Sequence, residues 1–262
     1  LDITGLSYER LEQLGPQQWP MPAGGAEGQA RFYPYGMFAT PDGRARFAAV
    51  PWRPVAEPRS PRYPFSLSTG RLRDQWHGMT RTGTLGRLFG HVPEPAISLR
   101  PDELAALGLQ AGELVKVSSA RGAIWLPVQA APEQGRQQAF IPMHWGSEIL
   151  SGRDAAGQSL AGVNALTTSA SCPMSKQPEL KHCAIRIEKA ARPWTLLGLA
   201  WLPQERALTV QRGLRGLLPG FDFASCVPFG RERSGLQLRA ACAEAPPIEL
   251  IRQVEALLGL DG

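Results

Sequence analysis

The sequence predicts a mainly β chain with a few helices: a closed barrel through its middle, then a small α+β unit. Three observations carry that expectation. Apolar and polar residues alternate over short runs between residues 63 and 187. Tight glycine turns separate those runs, with one small helical pattern among them, the mark of a closed barrel. Beyond residue 190 the pattern changes to strand, helix, strand, strand, helix, which reads as a small open layer.

Residues 1–62 lead into the barrel. Ser7 is the expected N-cap of a short helix with Tyr8, Leu11 and Leu14 on one face, ended by Gly15-Pro16. Ala30-Arg-Phe-Tyr33 and Ala45-Arg-Phe-Ala48 flank Thr40-Pro-Asp-Gly43. In that turn Pro presets one φ and Gly accepts another, and the pattern predicts a β-hairpin. The proline-rich residues 50–62 read as an extended linker.

Tyr63-Pro-Phe-Ser-Leu-Ser68 alternates as the first barrel strand. Pro101 to Leu107 is a helix, with Pro in its first turn, Asp102 and Glu103 at its positive end and Gly108 as its cap. Those two acids compensate the helix dipole and have no catalytic part. Leu114–Ser118, Ala123–Val128, Gln138–Pro142 and Cys183–Ile187 are further strands, and residues 146–162 an irregular loop. In the last part, Trp194–Trp201, Phe223–Phe229 and Leu236–Ala241 read as strands. Leu208–Leu218 and Pro247–Leu258 read as helices.

Composition narrows the partners. The formal charge is +5 with 28 basic residues, 24 of them Arg, which favours anionic ligands. No Lys/Arg block and no nucleic-acid motif occurs, so nucleic acid is not expected. No apolar run is long enough to span a bilayer, so no membrane is expected either. Cys172, Cys183, Cys226 and Cys242 are widely spaced without a C-x-x-C pair, which supports neither a zinc site nor an iron–sulfur loop. With no secretory segment, reduced thiols in a cytoplasmic setting are expected.

The functional signal lies after the first strand. Between Thr69 and Thr82 fall three arginines, three threonines, Gln75, Trp76 and His77, with Asp74 the only acid. Gly70, Gly78 and Gly83 let the backbone approach a bound group. That balance suits an anionic or planar partner, and equally the solvated rim of a hairpin around a core Trp. Neither a P-loop nor a G-x-G-x-x-G fingerprint is present.

Thr69 to Gly83 with His91-Val-Pro-Glu-Pro95, then Ile141-Pro-Met-His-Trp145, Val163-Asn-Ala-Leu-Thr167 and Pro173 to Ala184, occur in an order that resembles assimilatory nitrate reductases. These belong to the dimethyl sulfoxide reductase superfamily of molybdenum enzymes, whose metal is held by two molybdopterin guanine dinucleotides. The resemblance implies that residues 1–62 are the tail of a preceding catalytic domain and a linker. It makes 63–190 a double-psi β-barrel that binds the dinucleotide, and 191–262 a small C-terminal module. A chain starting at Leu1 then reads as the C-terminal piece of a larger enzyme, with a [4Fe-4S] cluster and the metal's own ligand in the N-terminal remainder.

The same resemblance implies cofactor contacts at Thr69, Gly70, Arg71, Leu72, Gln75, Trp76, His77, Gly78, Met79, Thr80, His144, Asn164 and Lys181, with no catalytic residue or metal ligand in this piece. Hydroxyl and N–H groups at Thr69 and Gly70 would meet phosphate oxygens. Arg71 would clamp phosphate or cover a ring. Trp76 and His77 would stack on or donate to the pterin, and Met79-Thr80 would complete the wall. His144 reads either as lining the funnel or as packed in a loop. Cys172-Pro173 stands where most relatives have Asp-Pro, which weakens any role carried over to position 172. Expected partners are the rest of the enzyme, nitrate, and an electron donor: ferredoxin, flavodoxin or an NADH-dependent reductase subunit. Other readings remain at this point: a bis-molybdopterin enzyme acting on formate or an N- or S-oxide, or a stand-alone barrel that binds a partner, with 191–262 as a docking module.

Overall fold

A computed structural model of the chain describes residues 2–153, 159–160, 162–179 and 181–260. The chain folds into two compact units, residues 1–53 and 54–262.

The first unit holds helix α1, Tyr8–Leu14, whose N-terminus is capped by Ser7 Oγ accepting from the Arg10 N–H at 3.2 Å. Arg10 donates back to the carbonyls of Gly5 at 2.6 Å and Gly25 at 2.7 Å, tying the helix to the loop around the fully buried Met21. The turn at Thr40–Gly43 forms, with Gly43 N–H donating to Thr40 at 3.0 Å. The expected hairpin around it does not: residues 30–33 and 45–48 form no strands. Phe32 of the first flank packs on Trp19 while Phe47 of the second is 96% exposed, so the two flanks share no apolar face that would hold a two-strand ladder together.

The second unit is built on eleven strands among the described residues. The first five are β1 Phe65–Gly70, β2 Ile97–Leu99, β3 Leu114–Ser118, β4 Ala123–Ala130 and β5 Gln138–Pro142. Residues 146–162, expected to be irregular, supply β6 Leu150–Arg153 and β7 Ser159–Leu160. Strand β8, His182–Lys189, follows. Strands β1 to β5 and β8 close into a six-stranded barrel, ordered β1-β5-β2-β4-β3-β8. Pairings β1–β5 and β2–β4 are parallel, and the other four are antiparallel. The inward residues of the alternating strands (Leu67, Val115, Val117, Ile124, Leu126, Ile141, Cys183, Ile185) form one core cluster. Helix α2, Pro101–Ala106, closes one side through Leu104. The linker is pinned by Glu57, whose carboxylate pairs with Arg121 at 2.6 Å and whose carbonyl meets His182 at 3.1 Å.

The later elements are β9 Trp194–Leu202, α3 Gln204–Leu217, β10 Phe223–Phe229, β11 Ser234–Cys242 and α4 Ile248–Leu258. Their strands join β6 and β7 in a second sheet, ordered β7-β6-β10-β11-β9. The second sheet therefore takes strands from both sides of β8. Strand β10 is buried on both faces, so its sequence shows no alternation of polarity. Phe223 and Val227 join the barrel core, while Ala224 and Cys226 join a second core under α3 and α4.

The two layers approach closely at Gly86, where an added Cβ would collide with the Phe229 carbonyl. Gly86→Ala is expected to cost about 1–3 kcal/mol, read as a lowered urea midpoint. A midpoint equal to wild type would contradict the close approach.

Candidate functional site

Because β1 and β5 run parallel, with Thr69 opposite Ile141 and Gly70 opposite Pro142, both strands finish at the same end of the barrel. The segments that leave them emerge side by side. Met143 N–H donates to the Gly70 carbonyl at 2.9 Å, and Leu72 N–H donates to His144 Nε2 at 3.0 Å. Nε2 is thus an acceptor, which assigns the proton of the neutral ring to Nδ1. His144 is 2% exposed, and Nδ1 is buried without a hydrogen-bond partner of good geometry. Burial holds the imidazole pKa below its ordinary value. The nearby Trp76 backbone opposes that shift, while the charges of His77, Arg71 and Lys181 reinforce it. Residues far apart in sequence therefore surround one imidazole.

The bend itself is held from within. Gln75 is buried, donating from Nε2 to the Leu88 carbonyl at 3.0 Å, and its Oε1 is buried without a partner. Trp76 N–H donates to Thr82 Oγ1 at 3.1 Å. A 3-10 turn spans His77–Met79, in which Gly78 has φ 57° and Met79 has φ 55°. A left-handed Met is unfavourable, and burial of its side chain in the barrel core holds it there. Gly83 N–H closes the turn onto the Met79 carbonyl at 2.8 Å. What remains outside is Trp76, 52% exposed and edge-on to His77 at 5.5 Å, together with Gly78 and Thr80.

The charges at the bend are unbalanced. Asp74 is taken by Arg73 in two bonds of 2.8 Å, which holds its carboxyl below the usual range. Arg71 is exposed and has no acid partner among the described residues. Among the described residues Lys181 Nζ meets only the Met143 sulfur, at 3.7 Å. Asn164 is exposed on the 3-10 turn Val163–Ala165, which is docked by the Val163 N–H on the Trp145 carbonyl at 3.3 Å. That puts Asn164 beside the same strand end, without a hydrogen bond to the bend among the described residues. Trp145 Nε1 is also buried and unpartnered.

These positions refine the sequence expectations. Gly70 lacks a side chain because a Cβ would lie 2.9 Å from the Phe140 ring, and Gly83 because it would lie 2.9 Å from the Met79 carbonyl. Gly78 is required by its φ. Thr69 is buried and already has an intramolecular interaction, and Leu72 packs on the core. The groups facing outward are Arg71, Trp76, His77, Thr80, Asn164 and Lys181. Nothing in the local sequence singles out Gln211 or Arg215, which both donate to the Gly83 carbonyl from α3. Among the described residues no group of three or more His, Cys, Asp or Glu is placed to hold a metal. Burial pushes the Cys183 thiol up to about 11 and the Cys226 thiol up to about 12, so both stay protonated at neutral pH. Unpaired cations, an exposed aromatic pair, and buried polar atoms at Gln75, His144 and Trp145 suit an anionic, planar group rich in hydrogen-bonding atoms.

Residues 65–184 match the family model of the Molydopterin dinucleotide binding domain. The chain is 40% identical over 190 residues to a nitrate reductase of Synechocystis, covering 71% of this chain and 26% of that protein. A nitrate reductase of Klebsiella oxytoca is 32% identical over 193 residues, 73% of this chain and 21% of that one. One of Symbiobacterium thermophilum is 36% identical over 199 residues, 70% and 25%. The chain therefore spans about a quarter of the length of these curated relatives, 21–26%. Among solved structures, the acetylene hydratase of Pelobacter acetylenicus matches with a TM-score of 0.40 and 20% identity, over 49% of this chain and 18% of that one, too slight a likeness to bear on function.

The depressed His144 pKa has a consequence for stability. A histidine whose folded pKa lies below its unfolded value, near 6.5, contributes nothing above that pH and destabilises increasingly below it. Protonation would also turn Nε2–H against the Leu72 N–H. His144→Gln keeps an acceptor and cannot charge. Its urea midpoint is expected to fall less than wild type between pH 7.5 and 5, and parallel falls would contradict a buried neutral imidazole.

Proposed function

We propose that this chain is the cofactor-binding C-terminal portion of a molybdenum nitrate reductase that reduces nitrate to nitrite in nitrate assimilation. The observation that carries the reading is the pair of cations, Arg71 and Lys181, which have no acid partner among the described residues and whose charges act on His144, on a domain that matches the dinucleotide-binding family. The nitrate reductases it is similar to supply the substrate. The cofactor is a molybdenum bis(molybdopterin guanine dinucleotide). When bound, it supplies the metal at which nitrate loses one oxygen atom and takes up two electrons.

The work of this chain is binding and orientation. Arg71 and Lys181 neutralise phosphate or ring oxygens. Trp76 and His77 present an aromatic wall, with Gly78 and Thr80 beside it. Asn164 offers a donor and an acceptor. Thr69, Gly70, Leu72, Gln75 and Met79 set the backbone that carries these groups. His144 holds its Nδ1 proton next to that surface, within the influence of Arg71, His77 and Lys181. The cationic lining would also raise the local concentration of nitrate.

The finer architecture follows the same reading. The two parallel pairings, β1–β5 and β2–β4, within a closed barrel support a double-psi topology for 63–190. Residues 1–62 would be the tail of the catalytic domain and its linker, and 191–262 an α+β appendage whose sheet borrows β6 and β7. The N-terminal remainder of the enzyme would carry a [4Fe-4S] cluster and take electrons from ferredoxin, flavodoxin or an NADH-dependent subunit in the cytoplasm. No helix among the described residues is long and apolar enough to cross a membrane.

Arg71→Ala in the enzyme that contains this chain is expected to lower molybdenum content and viologen-driven nitrate reduction together, by about tenfold or more for a lost charge-assisted contact. Wild-type metal content with wild-type turnover would remove the bend from the site.

A further inference from the structure

Helix α3 is hydrogen-bonded to the bend at one carbonyl. The Gly83 carbonyl accepts from Gln211 Nε2 at 3.0 Å and from an Arg215 terminal nitrogen at 3.1 Å. Gln211 is 2% exposed, and that bond is the one its amide makes among the described residues. A buried amide is unfavourable unless it is bonded, and a leucine would suit this helix position better on packing grounds alone. Arg215 is largely buried as well and reaches Glu148 only at 3.5 Å. Two side chains of one helix are thus spent on a carbonyl 128 residues away in sequence for Gln211 and 132 for Arg215.

That carbonyl belongs to the residue whose N–H closes the turn on Met79. The turn contains the left-handed Gly78 and Met79. Such a conformation persists at a side-chain-bearing residue only where its surroundings over-determine it. Met79 is held on one side by its burial in the barrel core. The other side is held from α3, which is itself fixed on the second sheet by the buried Val210 and Leu214.

We infer that α3 is a positioning element for the bend: Gln211 and Arg215 grip Gly83 and so fix the orientation of Trp76, His77 and Thr80. The C-terminal residues 204–217 then serve the binding surface without touching the ligand. The link from bend to cofactor rests on the reading under Proposed function, whereas the grip itself does not.

The test is backbone amide exchange in the ligand-free 262-residue chain, comparing wild type with Gln211→Leu, Arg215→Met and Arg215→Lys. The amides of Met79 and Gly83 are expected to exchange about tenfold faster in Gln211→Leu and Arg215→Met. In Arg215→Lys, which can still donate to the carbonyl, they should stay near wild type, and the amides of β4 should be unchanged in all three. Unchanged exchange at Met79 and Gly83 would overturn the grip. Faster exchange spread evenly over the barrel would overturn it too, leaving a packing role only. In the enzyme containing this chain, the first two variants should retain less pterin, measured by fluorescence after release and oxidation. Faster local exchange with full pterin retention would uphold the grip and overturn the cofactor reading of the bend.

Discussion

The hydrogen bond from the Leu72 N–H to His144 Nε2 organises the candidate site. It is available because β1 and β5 are parallel neighbours, so the residues that follow them leave the barrel in the same direction. Antiparallel pairing would have sent residues 71–83 and 143–146 to opposite ends. With the strands so aligned, one imidazole can sit beneath the bend. Its neutral tautomer is fixed by the Leu72 bond, its other nitrogen is buried, and the charges of His77, Arg71 and Lys181 help to hold the ring neutral. A neutral ring beneath the bend adds no buried charge to those of the basic side chains near it.

The site divides into a frame and a face. The frame is buried: Gln75, Met79 and His144 fix the chain through the Leu88 carbonyl, the core and the Leu72 amide. The face is exposed and short of acids, because Arg73 consumes the one carboxylate of the bend. Elsewhere Arg121 is paired with Glu57 and Arg239 with Glu94. Among the described residues Arg71 and Lys181 have no ion pair, and with the bend's one acid already taken the exposed face keeps a net positive charge, which favours an anion. The second sheet completes the frame, packing Phe223 and Val227 into the barrel core and setting α3 against Gly83.

Much of this was legible in the sequence, and the limits have physical causes. Strands β1 and β3 bury one face and so alternate visibly, whereas β4, buried over five successive residues, reads as an apolar run. Strand β2, three residues all buried, gives no period to read. The Thr40–Gly43 turn was readable from Pro-Asp-Gly, but a turn does not make a hairpin when its flanks share no apolar face. Strand β6 exists because Leu150, Ser151 and Gly152 pair with Ser225, Ala224 and Phe223, and no local pattern reports a partner more than seventy residues away. In the site, the density of donors from Thr69 to Thr82 was visible at once. The burial of His144, the occupation of Asp74 by Arg73 and the hold of Gln211 on Gly83 were not, since each depends on a contact that only the folded chain creates.

The central claim is that the face formed by Arg71, Trp76, His77 and Lys181 lies against a bound anionic dinucleotide. Covalent labelling of the enzyme with and without its cofactor tests it most directly, with amine acetylation reporting on Lys181 and indole oxidation on Trp76. Both side chains are exposed here, so both should react in the cofactor-free form and be protected when molybdenum is retained. Equal labelling of both in the two forms, with the metal content verified, would contradict the account.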